Sequence, residues 1–205
     1  MLQKFGKNGV ATSLTNGTNE AEAYSVFVSG TDVYVSGYRS DGTNQFAMLW
    51  KNGMATSLTS GAQFSDAYSV FVSGTDVYTT ISEATGPVAF LAKISKNGVI
   101  TNLASPTNES SANSVFVSGS DVYVAGWEFT TNAIAKIWKN GIATSLTNGV
   151  NEAYASGVYV FGSDVYVTGY EIIGTTGVAK LWKNGVATSL TNGTNDAFAS
   201  AVFVK

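Results

Sequence analysis

Neither cysteine nor histidine occurs among the 205 residues. Their absence excludes disulfides, thiol nucleophiles, most zinc and haem sites, and the side chain that most often acts as general base. Charge is scarce too. Only 12% of residues are charged and the net charge is -3, so no basic footprint for nucleic acid exists. No apolar run approaches the roughly 20 residues a membrane-spanning helix needs, and no 3.6-residue apolar period is present. Met1–Ala11 has neither the apolar core nor the small-residue cleavage site of a signal peptide. A cysteine-free chain fits a reducing cytoplasm or a disulfide-free bacterial exterior; the neutral, hydroxyl-rich composition leans towards export or the cell surface. No cofactor and no metal is expected.

What the chain has in abundance is itself. Lys-Asn-Gly begins at Lys7, Lys51, Lys96, Lys139 and Lys183, at spacings of 44, 45, 43 and 44 residues. Asp-Val-Tyr keeps step at Asp32, Asp76, Asp121 and Asp164. Self-similarity at this period marks a stacked or circular repeat architecture in which no unit folds alone. The length suits one domain, 1–205, with repeats at about 23–59, 67–103, 112–147 and 155–191.

Within the unit that starts at Asn151, four short β segments are expected: Gly157–Phe161, Val165–Tyr170, Val178–Trp182 and Val186–Thr191. Val, Tyr, Phe and Trp favour strands, and Gly and Asn punctuate them. Asn-Gly between the third and fourth segments is the strongest short hairpin signal, since a type I′ turn needs positive φ at both central residues. Gly162-Ser163 marks a second tight hairpin, matched at Gly30-Thr31, Gly74-Thr75 and Gly119-Ser120. The first two strands read as nearly continuous apolar runs, the pattern of burial on both faces, whereas the fourth is polar. A four-stranded antiparallel meander with its first strand at an axis and its fourth at a rim is the blade of an all-β propeller.

The strings SVFVSGTDVYVSGY, SVFVSGSDVYVAGW and AKIWKNGIATSLTNG resemble bacterial tandem-repeat β-propeller proteins, with a first hairpin similar to that of NHL-type propellers. The resemblance spans essentially the whole chain and implies an architecture, not an activity. Five blades fit the count. The terminal segments, 2–15 and 199–204, supply only a third and fourth strand and a first strand, so the last blade is short. It lacks an Asp-Val-Tyr-Val strand. A distorted sheet, a neighbouring chain covering the edge in a homo-oligomer, or a longer array would each account for this.

Three features fall on the face formed by the loops from strand two to three and from four to one. Aromatic residues end strand two at Tyr38, Trp127 and Tyr170, with Ser82 in their place once. Rings there either stack on sugar faces or pack between blades. Asn-acid pairs recur at Asn19-Glu20, Asn108-Glu109, Asn151-Glu152 and Asn195-Asp196, either accepting ligand groups or closing local turns. Acids follow the aromatics at Glu83, Glu128 and Glu171, with Arg39 in the first unit. Glycoside hydrolysis needs two carboxylates in unlike environments, and copies of one unit argue against that. The lysines of Lys-Asn-Gly read as solvated rim charges, and Trp50, Trp138 and Trp182 as blade packing. The expectation is therefore a non-enzymatic binding propeller, lectin-like and binding a glycan through its loop face. The rival expectation is a structural or protein-interaction scaffold.

Overall fold

In the computed structural model, which describes residues 3–86 and 89–205, every Lys-Asn-Gly turn has positive φ at both central positions. Asn8, Asn52, Asn97, Asn140 and Asn184 lie at φ 51 to 53°, each followed by a glycine at 79 to 86°. This is the type I′ requirement, met by the two residue types that tolerate it best. Gly30, Gly74, Gly119 and Gly162 have φ 60° and open the other hairpin of each repeat. Leu2, the expected start of the first terminal segment, lies outside the described residues.

These turns fold the chain into successive antiparallel meanders. A two-stranded hairpin comes first, β1 (Lys4–Lys7) and β2 (Val10–Ser13). Blade one follows as β3 (Ala21–Ser29), β4 (Asp32–Ser40), β5 (Gln45–Lys51) and β6 (Met54–Ser57). Blade two is β7 (Ser65–Ser73), β8 (Asp76–Ala84), β9 (Phe90–Lys96) and β10 (Val99–Asn102). Blade three is β11 (Ser110–Ser118), β12 (Asp121–Phe129), β13 (Ala133–Lys139) and β14 (Ile142–Ser145). Blade four is β15 (Ala153–Phe161), β16 (Asp164–Ile173), β17 (Thr176–Lys183) and β18 (Val186–Ser189). Among the described residues there is no helix. The fold is a β-propeller with four full blades and a short fifth.

First strands begin several residues earlier than the apolar runs suggest. Each carries a bulge, at Ala23/Ser25, Ala67/Ser69, Ala112/Ser114 and Ala155/Gly157, which leaves Tyr24, Tyr68, Asn113 and Ser156 outside the ladder. The bulge breaks the two-residue alternation and hides the strand's beginning.

Neighbouring blades are joined in three ways. Trp50, Trp138 and Trp182 are almost wholly buried, as expected of packing residues. One ring from each first strand stacks on the next: Phe27 on Phe71 at 4.7 Å, Phe71 on Phe116 at 4.9 Å and Phe116 on Tyr159 at 4.7 Å. The hydroxyls of Ser25, Ser69 and Ser114 accept backbone N–H bonds from Val70, Val115 and Val158 of the following blade.

The repeated motifs turn out to be one clip. Asn52 Nδ2 donates to Asp32 at 2.8 Å, Asn52 Oδ1 accepts from Val33 N, and Lys51 pairs with Asp32 at 2.8 Å while lying over the Tyr34 ring. The same set recurs at Asp76/Lys96/Asn97, Asp121/Lys139/Asn140 and Asp164/Lys183/Asn184. The lysine and asparagine beside it hold each of these aspartates below the usual carboxylate range. Four of the five lysines expected to be solvated rim charges are therefore paired, because the two hairpins of a blade end side by side.

Two expectations about the terminal strands need correction. Burial of the first strands holds for blades two to four, where the paired valines of β7, β11 and β15 are 3–8% exposed. In β3 the equivalent Val26 and Val28 are 60% and 58% exposed. Residues 199–204, expected as a strand, carry no strand pairing. They lie against blade four, with Ala201 against Gly157, Phe198 edge-on to Tyr170 at 4.7 Å and Phe203 edge-on to Tyr159 at 5.2 Å.

Candidate functional site

The aromatic residues that end the second strands are held by rings the repeat pattern does not flag. Tyr38 is 7% exposed and donates its hydroxyl to Glu20 at 3.0 Å. Its ring centroid lies 6.0 Å from Tyr24, which in turn lies 5.2 Å from Tyr68. Trp127 and Tyr170, both half-buried, meet on Tyr154: edge-on at 5.5 Å for Trp127, stacked at 5.0 Å for Tyr170. Tyr154 donates to Glu152 at 3.2 Å. The face thus carries two aromatic groups, one across blades one and two, the other across blades three and four.

The Asn-acid pairs are anchored by their backbone. The carbonyls of Glu20, Glu109 and Glu152 accept from Ser40, Phe129 and Ile172, which extends each ladder by one bond onto strand two. Asp196 accepts from Gly177 N at 2.8 Å. Asn108 and Asn151 donate to Glu128 and Glu171 at 3.0 and 3.1 Å. Asn19 and Asn195 are exposed on the same loops.

The third set of acids is committed to ion pairs. Glu83 pairs with Lys93, Glu128 with Lys136 at 3.3 Å and Glu171 with Lys180 at 3.0 Å. Lys136 and Lys180 also reach Ser145 and Ser189. Blade one supports a structural role for these pairs, because Met48 stands at the lysine position just where Arg39 stands at the glutamate position. With both members replaced, neither a carboxylate nor a lysine is left buried and unpaired, and Arg39 is exposed.

Sequence reading did not single out Tyr24 and Tyr68, because only two of the four full blades carry a tyrosine at that position. Tyr24 and Tyr68 occupy the bulge position that Asn113 and Ser156 hold in the other blades. Asp66 is buried, accepts from Gln45 Nε2 at 2.9 Å, and lies 3.5 Å from the Tyr24 hydroxyl. Burial is the main cause that pushes its carboxyl up to about 6, and Glu22 adds to it. Burial likewise raises Tyr38 and Tyr68 to about 12 and Tyr24 well above its ordinary value. These tyrosines are neutral donors at neutral pH, set among Glu20, Glu22 and Asp66. Such a surface favours neutral polyols and cations and repels anions.

A raised carboxylate pKa means that folding favours the protonated form. The contribution of Asp66 to stability should therefore fall as pH rises from about 4 to about 6 and level off above. Asp66→Asn, which keeps an acceptor for Gln45, should be more stable than wild type at pH 7.5 by on the order of 1–2 kcal/mol after solvent screening. At pH 4 the difference should vanish. Urea midpoints at the two pH values check this, and a pH-independent difference would mean that Asp66 titrates normally.

Among the described residues no group of three or more acids could hold a metal ion, and no helix is long and apolar enough to cross a membrane. No protein-family model matches the chain, and no curated protein matches it. Solved structures do. TolB from Acinetobacter baumannii superposes with a TM-score of 0.56 at 11% identity, over 91% of this chain and 47% of that one. An acylaminoacyl peptidase from Pyrococcus horikoshii superposes with a TM-score of 0.52 at 13% identity, over 91% and 34% respectively. The chain spans less than half the length of these structures, and the likeness is one of fold.

Proposed function

We propose that the chain is a non-enzymatic binding propeller that takes a glycan on its loop face, centred on Tyr24. The observation that carries this reading is the Tyr24 ring, 41% exposed although Tyr38 and Tyr68 pack against it and Asp66 lies at its hydroxyl. An exposed ring backed by other rings offers a rigid platform for the C–H face of a sugar, while carboxylates and Gln45 meet its hydroxyls. Trp127, Tyr154 and Tyr170 form a second, weaker platform. Catalysis by the repeated acids is disfavoured because Glu83, Glu128 and Glu171 each face a lysine.

A glycan and polysaccharide array, with and without calcium, tests this directly. Wild type should bind a neutral or amino sugar without calcium, and Tyr24→Ala should reduce retention about tenfold with a melting temperature within a few degrees of wild type. A blank array from folded protein would sink the reading. The second reading, a protein-interaction scaffold, is favoured by the exposed Val26 and Val28.

A further inference from the structure

At each internal seam of the propeller one tyrosine covers two valines. Tyr34, from the Asp-Val-Tyr strand of blade one, packs on Val70 and Val72 of blade two. Tyr78 packs on Val115 and Val117, and Tyr123 on Val158 and Val160. The seam in front of blade one has the outer part of this arrangement. Phe5 of β1 and Leu14 pack on Val33, Val35, Met48 and Trp50, as third- and fourth-strand residues do elsewhere. On the other side, residues 197–204 lie on blade four in the manner of a next first strand. Among the described residues no second strand stands between, and Val26 and Val28 lack the tyrosine cover of the other seams. A groove of about 270 Å³ runs there, lined by Lys4, Phe5 and Gly6 of β1 and by Tyr24, Ser25 and Val26 of β3. Strand β1 pairs with β2 alone, so its inner edge is unpaired.

Charge identifies what fits. Lys4 and Lys7 align with Lys180 and Lys183, whose partners in blade four are Glu171 and Asp164, the two ends of one second strand. Among the described residues neither Lys4 nor Lys7 has a carboxylate partner; Lys7 reaches the Thr31 carbonyl of blade one instead. The seam therefore presents two cations at the spacing that an Asp-Val-Tyr-Val-x-Gly-Tyr-Glu strand would neutralise, beside two valines that its tyrosine would cover.

We propose that this seam is a strand-acceptor site whose occupant is an extended segment of the repeat's own second-strand type. Backbone pairing to β1 would supply affinity, and the tyrosine and the two acids would fix register and direction. The groove shares Tyr24 with the glycan reading but is argued from Val26, Val28, Lys4 and Lys7: a blank with peptide leaves array binding untouched, and a blank array leaves this site untouched.

The test uses a dye-labelled peptide with the sequence of residues 162–172, titrated into the intact chain by fluorescence anisotropy. Saturable one-to-one binding is expected, with a rise in the protein's melting temperature. A chain carrying Lys4→Glu and Lys7→Glu should bind this peptide about tenfold or more weakly. It should regain affinity for a peptide whose Asp and Glu are both lysine. Tyrosine-to-serine substitution in the Val-Tyr-Val core of the peptide should also abolish binding. The proposal is overturned by no binding at high peptide concentration, by binding indifferent to the charge reversal, or by equal binding of a scrambled peptide.

Discussion

Trp138→Ser is expected to cost about 3–5 kcal/mol of stability, the range for removing a large ring from a buried site. Gly126→Ile alone is expected to cost about 3 kcal/mol or more, because a Cβ there would fall 2.0 Å from the Ser111 carbonyl oxygen, and to cost less in a chain that already carries Trp138→Ser. The basis is an exchange already present in the molecule. Blades one, three and four set a tryptophan diagonally across from a glycine on the neighbouring strand, two residues beyond its ladder partner: Trp50 and Gly37, Trp138 and Gly126, Trp182 and Gly169. Blade two has Ser95 and Ile81 at those positions, both buried. A Cβ on Gly126 would fall 3.0 Å from Cζ3 of Trp138, so indole and branched side chain compete for one volume. Denaturant titration of the two single variants and the double variant decides it: purely additive losses would mean that the two positions do not share space.

Gly169→Ala should have the second-largest effect. Its Cβ would sit 1.9 Å from the Tyr154 carbonyl oxygen, and Trp182 keeps the strand from moving away. A loss of about 3 kcal/mol or more is expected, at the upper end for forcing extra atoms into a packed site. Gly6→Ala provides the contrast, since nothing lies within 4 Å of a Cβ there and its φ is not positive. Comparable losses for the two variants would remove steric crowding as the explanation.

Residues that the repeat preserves were legible in the sequence, and residues that break it were not. Asn-Gly turns, the order of four strands and the exposed fourth strand follow from positive-φ chemistry and apolar patterning. Strand beginnings were lost at the bulges, where alternation slips by one residue. The Asp-Lys clip was hidden because its members lie about 20 residues apart, and only hairpin register brings them together. Likewise Glu128 reads as a free acid until β13 places Lys136 beside it. Tyr24 and Tyr68 did not stand out in a comparison of repeats, since blades three and four carry Asn113 and Ser156 at their position.

The bulge in each first strand has a consequence for how such a molecule can change. It sets one residue per blade outside the hydrogen-bonded register, and these seats hold Tyr24, Tyr68, Asn113 and Ser156. The frame around them is copied almost letter for letter, whereas the seats are not. A lineage of such chains can therefore alter the side chains the loop face presents by rewriting a handful of codons, with the turns, clips and seams inherited unchanged.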